Sequence, residues 1–269
     1  MIAVLIIAAA LCALFLFLVF PSLRRHAARG DMTGRYIAHR GLHGLAENMP
    51  ENSLAAFRAA IERGYAIEID IHLTADGEVV VFHDDDTVRV CGESHIIEDT
   101  TLAELKKLRL AGSEESIPTL QECLEVVNGQ VPLLIEFKCM SKTCKALCEK
   151  ANAVLSAYNG VYWVQSFYPF VLSWYRRHRK DVCRGQLSAG FYGEELHKRL
   201  LGCLAFNVLA RPDFVSYKHE DAKHVCRKLC TYLGAFPVGW TFTTQEALDK
   251  CRSEFSTYIF EGFVPSGDD

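Results

Sequence analysis

The chain has no Gly-x-Ser-x-Gly elbow and no glycine-rich phosphate loop. The first absence argues against a serine hydrolase of the elbow type, and the second against a nucleotide enzyme. A basic face is missing too: the net charge is −4 and both signs are spread along the sequence. That excludes nucleic acid as an expected partner. The eleven cysteines are odd in number and lack framework spacing. In a chain of 269 residues this predicts free thiols in a reducing compartment rather than a disulfide scaffold. No internal repeat or low-complexity segment is visible, and residues 2–20 hold no charge at all.

That last absence carries information. At about 1.5 Å per residue, 2–20 spans roughly 28 Å, close to a hydrocarbon core. Pro21 then breaks the helix, and Arg24, Arg25 and Arg29 follow. A secretory signal places its basic residues before the apolar run. Here they come after it, so the expectation is a single-pass membrane protein with its folded domain on the cytoplasmic side. The alternative is an uncleaved signal with an extracytoplasmic domain. The organisation read from this is a transmembrane anchor over 1–22, a linker over 23–34 and one domain over 35–269.

Within that domain strand and helix patterns alternate. Strands are predicted over 36–39, 66–72, 132–137, 161–166, 182–187, 213–216, 237–242 and 257–260. Helices are predicted over 53–63, 119–127, 142–157, 169–179, 194–204, 220–233 and 244–251. Eight strands alternating with helices is the pattern of an α/β TIM (β/α)8 barrel. A further strand over 79–83 follows 66–73 too closely for a parallel crossover. It must fold back as a β-hairpin extension through the turn Asp76-Gly77. Residues 84–117, with one helix over 102–108, then read as a small cap inserted after the second strand.

Polar clusters sit at the ends of these strands: His39-Arg40, Glu68 and Asp70, His83-Asp84, and Glu136 with Lys138. Side chains alternate along a strand, so Glu68, Asp70 and His72 share one face and Ile67, Ile69 and Ile71 the other. In a barrel strand both faces are covered, so the acids lie inside and need a counter-charge. A divalent cation held by Glu68, Asp70 and Glu136 meets that need, and all-oxygen ligation points to Mg²⁺ or Ca²⁺. A buried Glu–Lys pair without metal is the bland alternative. His39 and His83 form the titratable pair suited to acid/base work. Arg40 and Lys138 suit phosphate oxygens. His72 reads as packing behind the site and His43 as a loop residue. Glu51-Asn52-Ser53 reads as a helix start capped by Asn52 or Ser53, with Glu51 in reach of the metal or of His39. Together these groups describe a metal-assisted phosphodiester hydrolase. Cys226 and Cys230, with His219 and His224 nearby, and likewise Cys144 and Cys148, read as reduced cysteines on packed helix faces.

The ordered series Ile37-Ala38-His39-Arg40-Gly41, Pro50-Glu51-Asn52-Ser53, Glu68-Ile69-Asp70, Thr74-Ala75-Asp76-Gly77, Val81-Phe82-His83-Asp84 and Glu136-Phe137-Lys138 resembles the motifs of the glycerophosphodiester phosphodiesterase family. Ile117-Pro118-Thr119-Leu120, Gln165-Ser166-Phe167 and Trp240-Thr241 match its later landmarks. The resemblance implies a TIM barrel, a divalent cation, and hydrolysis of small-molecule glycerophosphodiesters to glycerol 3-phosphate and an alcohol. It implies His39 and His83 as catalytic acid and base, Glu68, Asp70 and Glu136 as metal ligands with Glu51 near the metal, and Arg40 and Lys138 as phosphate binders. Trp240 is expected to wall the substrate pocket. The pattern departs at the last strand, where a Thr-Asp pair is replaced by Phe260-Glu261-Gly262, so substrate contacts from that strand are undefined. Two rivals stay open: a phospholipase D-like enzyme that cyclises intact lipids, and a non-catalytic membrane-tethered barrel.

Overall fold

The computed structural model describes residues 1–23, 27–46, 48–139 and 142–266. Arg24 and Arg25 of the basic flank, and the side chain of Arg29, lie outside the described residues. The strands are β1 (Tyr36–Ala38), β2 (Ala66–Leu73), β3 (Val79–Val81), β4 (Leu133–Phe137), β5 (Tyr162–Ser166), β6 (Cys183–Ser188), β7 (Phe214–Lys218), β8 (Phe236–Phe242) and β9 (Thr257–Phe260). All but β3 are parallel and close into a barrel, with β1 bonded to both β2 and β9. This is the TIM barrel that the alternation predicts.

The helices are α1 (Ile2–Val19), α2 (Leu54–Glu62), α3 (Val88–Cys91), α4 (Leu102–Leu105), α5 (Leu120–Val127), α6 (Cys144–Leu155), α7 (Pro169–His178), α8 (Leu196–Gly202), α9 (Asn207–Ala210), α10 (Val225–Tyr232) and α11 (Gln245–Cys251). Outward residues Ile67, Ile69, Ile135 and Phe137 pack beneath the helix ring in the main core. Burying each such side chain stabilises the fold by about 1.5–3 kcal/mol. Inward, Ile37, Ala66, Leu134, Trp163, Phe214 and Val238 fill the lower barrel with Met32. Gly185 makes room there, since a Cβ on it would meet the Phe214 ring at 2.0 Å. The apolar floor leaves the polar inward residues of β2 and β4 at the C-terminal end of the barrel, where TIM barrels place their sites.

The hairpin forms because β1 is short. It meets β2 only at Ala66 and Ile67, which leaves the upper edge of β2 for β3 at Ile71↔Val81, His72↔Val80 and Leu73↔Val79. Gly77 supplies the left-handed turn (φ +82°), and the Thr74 amide donates to Glu78 O at 2.9 Å. The Phe82 amide then donates to Asp70 O at 3.0 Å, so the chain returns to the barrel mouth at His83. The cap has its own apolar centre of Val80, Phe82, Ile97, Leu105, Leu110 and Ile117.

Several boundaries differ from expectation. The cap helix ends at Leu105 rather than 108. The helix expected over 220–233 splits into a 3-10 turn, His219–Asp221, and α10. One cysteine expectation is overturned: Cys139 and Cys144 are joined in a disulfide. Cys139, just after β4, and Cys144, at the start of α6, have Cα atoms 5.2 Å apart, within bridging range. Cys148 is a buried free thiol as expected.

Helix α1 is apolar and long enough to cross a membrane, and only its Val19 is buried. Its C-terminal end is tied to the residues just before β7. Arg211 donates to Phe17 O (2.8 Å) and Phe20 O (2.7 Å), Asn207 donates to Val19 O (3.0 Å), and the Ser22 amide donates to Pro212 O (2.9 Å).

Candidate active site

At the end of β1, Arg40 and Gly41 both adopt positive φ (54° and 82°). Gly41 is required, since a Cβ there would sit 2.8 Å from Ala56 Cβ on α2. The same conformation at Arg40 is strained, of the kind found at functional sites. It turns the guanidinium over the barrel mouth, with Nη1 2.9 Å from Glu51 Oε1 and Nε 3.4 Å from Asp70 Oδ2. Ser53 caps α2, accepting from the Ala56 amide at 3.1 Å. Asn52 is therefore released from capping and turns to the site. Its Nδ2 donates to Asp70 Oδ2 at 3.1 Å, and its Oδ1 is buried without a hydrogen-bond partner.

Glu68, Asp70 and Glu136 are all buried, and one oxygen from each lies within 4.8 Å of the others. The β2–β4 register brings this about by pairing Asp70 with Glu136. Metal–oxygen bonds of about 2.0–2.6 Å would fit inside such a set. Lys138 Nζ lies 2.6 Å from Glu136 and 3.2 Å from Asp70. Glu68 Oε1 is buried with no hydrogen-bond partner. Three carboxylates thus face two cations, Arg40 and Lys138. Asp70 Oδ1 and Glu136 Oε1 also lack hydrogen bonds but lie by Lys138, whereas Glu68 Oε1 has neither a hydrogen bond nor an ion pair among the described residues. The donor set fits a hard divalent cation.

The carboxyls do not titrate alike. Burial, with Asp70 and Glu136 beside it, pushes Glu68 well above the usual range. Burial also lifts Glu136 to about 7 against the pull of Lys138. Burial acts on Asp70 as well, but Lys138, His83 and Arg40 outweigh it and hold that carboxyl low.

Each histidine is held through Nδ1 by a carboxylate. His39 Nδ1 is 2.6 Å from Glu261 Oε2, and His83 Nδ1 is 2.6 Å from Asp84 Oδ1. Burial depresses both imidazoles below 6.5; Glu261 opposes this at His39, and Asp70 opposes it at His83. His39 holds Glu261 well below the carboxylate range, with His43 assisting from 3.7 Å. His72 lies behind the site, its Nε2 3.2 Å from His83 O.

Glu51 does not join the carboxylate triad. Its oxygens are taken by Arg40 and by Arg89, which also donates to Asp84 at 2.6 Å. Arg89, on α3 of the cap, so completes an ionic chain running Arg40–Glu51–Arg89–Asp84–His83. Sequence reasoning missed Arg89, the Asn52–Asp70 bond and the Glu261–His39 pair. Only Glu261 left a signal, as an acid at the end of the last barrel strand.

His39, Arg40, Glu68, His83, Glu136 and Lys138 line a cavity of about 150 Å³, with Gln165, Phe167 and Trp240 as further walls. The Trp240 and Phe167 rings meet edge-on at 5.8 Å. Beside it opens a cleft of about 650 Å³ that shares His83, Lys138 and Phe167 and continues past Tyr168, Phe191 and Leu201.

The model of the glycerophosphoryl diester phosphodiesterase family matches residues 39–188, more than half of the chain. The chain belongs to that family. Its matched segment opens on His39 and closes on the last residue of β6, so the carboxylate triad, both histidines, Arg40 and Lys138 all lie inside it. The chain is 38% identical over 133 residues to a glycerophosphodiester phosphodiesterase of Caldanaerobacter subterraneus subsp. tengcongensis, covering 46% of this chain and 53% of that protein. It is 29% identical over 180 residues to human lysophospholipase D GDPD1, covering 61% of this chain and 55% of that protein. It therefore spans about half the length of the curated relatives it matches. Among solved structures, an Oleispira antarctica phosphodiesterase in complex with the product sn-glycerol-3-phosphate superposes with a TM-score of 0.72 at 26% identity, covering 87% of this chain and 94% of that one.

Proposed function

We propose that this member of the family hydrolyses glycerophosphodiesters to glycerol 3-phosphate and an alcohol, using Mg²⁺ or Ca²⁺. The observation that carries the reading is the buried Glu68, Asp70 and Glu136 set, bordered by Arg40 and Lys138 and by two carboxylate-held histidines. The relatives' names and the product-bound Oleispira structure support the same substrate class.

In this reading Glu68, Asp70 and Glu136 would hold a divalent cation, which would supply Lewis-acid stabilisation of charge developing on the phosphoryl oxygens. Arg40 and Lys138 hold the non-bridging oxygens. With Nδ1 bonded to a carboxylate, each imidazole presents Nε2 to the cavity chemistry. One takes the proton of the attacking hydroxyl, and the other returns a proton to the leaving alkoxide. Glu261 and Asp84 stabilise whichever imidazole is charged. Trp240 and Phe167 form the apolar wall for the glycerol or the headgroup. Helix α1 anchors the barrel to a membrane in this reading. The basic flank favours a cytoplasmic barrel, whereas the Cys139–Cys144 disulfide favours an oxidising side.

The test is release of glycerol 3-phosphate by the full chain in detergent from glycerophosphocholine, glycerophosphoethanolamine and glycerophosphoinositol, with chelator and metal add-back. Release that chelation abolishes and Mg²⁺ or Ca²⁺ restores is the expected outcome. Release indifferent to thorough chelation overturns the metal assignment, and no release from any diester overturns the substrate class. The apolar cleft of about 650 Å³ favours a second reading. In it the diester carries an acyl chain, as in the lysophospholipids named for the human relative. A lysophospholipid turned over no better than its deacylated counterpart would remove that reading.

A further inference from the structure

A second cluster of metal-binding side chains lies away from the carboxylate triad. Cys203 ends α8, His224 immediately precedes α10, and Cys226 sits in the first turn of α10. One ligand atom from each lies within 4.8 Å of the others, and all three residues are only partly buried. Cys203 comes from a different stretch of chain than His224 and Cys226, so the grouping is a product of the fold. The contrast with Cys230 is informative. Cys226 and Cys230 are one helical turn apart, yet Cys230 is buried against Asn207 and Val19 O while Cys226 turns toward Cys203 and His224. The packed-face expectation holds for Cys230 and fails for Cys226.

The surroundings fix the three residues. Tyr217 donates its hydroxyl to Gly202 O at 2.9 Å, next to Cys203. The rings of Tyr192 and Tyr217 stand 5.8 and 5.7 Å from the His224 ring. His224 N donates to Asp221 O at 2.9 Å, and Asp221 Oδ2 accepts from the Gly190 amide at 2.7 Å. His224 Nδ1 is buried without a hydrogen-bond partner. Two sulfurs and an imidazole nitrogen are a soft donor set, unlike the all-oxygen set inside the barrel. With zinc–sulfur bonds of about 2.3 Å and zinc–nitrogen bonds of about 2.0 Å, the edges of a tetrahedron are roughly 3.5–3.8 Å. Atoms already within 4.8 Å reach that spacing by small side-chain rotations.

We propose that Cys203, His224 and Cys226 form a second metal site, selective for Zn²⁺ over Mg²⁺ or Ca²⁺, with water in the fourth position. The ion ties the segment between β6 and α9 to the start of α10. That segment supplies Phe191, Leu201 and Phe206 to the apolar cleft, so the site holds the cleft wall in place. This assignment is independent of the reaction in the barrel.

The test measures metal content and spectra rather than turnover. The full chain in detergent, loaded with Zn²⁺ and dialysed against a weak chelator, is expected to retain about one zinc per chain. The C203S/C226S variant should lose that zinc and E68Q/E136Q should keep it. His224→Cys, which preserves a soft donor, should retain it too. Co²⁺ in place of Zn²⁺ should give thiolate-to-cobalt charge-transfer absorption that C226S abolishes, with circular dichroism confirming the fold. No retained zinc, no charge-transfer band in the parent chain, or zinc unchanged in C203S/C226S overturns the proposal. So does a Cys203–Cys226 disulfide in protein alkylated at cell lysis.

Discussion

The two arcs of the barrel mouth are built differently. The arc from β1 through β4 carries nearly all the charge, with His39, Arg40, Glu68, Asp70, Glu136 and Lys138 drawn together by register, a hairpin and a strained turn. The arc from β5 through β9 is a wall of Phe167, Leu187, Trp240 and Ile259, and Glu261 after β9 contributes an acid that reaches His39. The family match covers the first arc and stops at β6. Beyond it lie Glu261 on His39, the cleft residues Phe191, Leu201 and Phe206, and the Cys203–His224–Cys226 group. In the proposed function, reaction chemistry belongs to one arc and selection of the substrate to the other.

That division can be broken by substitution. Asp70→Asn should have the largest effect, a fall in kcat of about 10³-fold or more, since it weakens the cation site, which supplies several kcal/mol of transition-state stabilisation. Isothermal titration with Mg²⁺ should show weakened binding alongside. His39→Ala and His83→Ala should each cut turnover by about 10²–10⁴-fold with cation binding retained. Normal turnover in either variant would remove that histidine from the mechanism. Glu261→Gln tests whether the second arc reaches into the chemistry. Losing one charge-assisted hydrogen bond of about 1.5–3 kcal/mol predicts roughly a 10–150-fold fall in kcat with KM little changed. It should also move the acidic limb of the pH–rate profile downward, because Glu261 supports the charged form of His39.

A gentler probe uses the raised carboxyls. Glu136 in the fold titrates at about 7, against roughly 4.3 in the unfolded chain. Between those values the folded state binds more protons, so cation-free stability falls as pH rises through that window. A bound cation favours the ionised carboxylates and offsets the loss. The rise in Tm on adding Mg²⁺ or Ca²⁺ should therefore be larger at about pH 8 than at about pH 5. An equal rise at both would mean that ion binding displaces no proton. The smallest effect should come from Trp240→Ala, with KM raised about tenfold and kcat nearly kept, from apolar contact worth roughly 1–2 kcal/mol.

The charged arc was legible in the sequence because it follows local rules. Alternation along β2 puts Glu68 and Asp70 on one face, and the five residues between β2 and β3 leave no option but a hairpin to bring His83 back. Contacts set by the tertiary fold were far less legible. Glu261 meets His39 across 222 positions of chain, and Arg89 reaches Glu51 from a cap whose fold no periodicity describes. The Cys139–Cys144 bond depends on how the start of α6 is placed against the end of β4, which cysteine spacing does not encode. Residue type alone suits both Asn52 and Ser53 to capping a helix. The fold gives the cap to Ser53 and Asn52 to Asp70.

The docking of α1 has a consequence for supply. Arg211 and Pro212 sit just ahead of β7, at the rim opposite the mouth, and they grip the end of α1. Were that helix to cross a bilayer, this attachment would leave the opening at the end of the barrel away from it. Under the proposed function, diesters would then arrive by diffusion as dissolved molecules, and an acylated one would first have to leave its leaflet. Tethering would serve to station the hydrolase along a surface where such compounds are shed, without letting it graze on the lipids beneath.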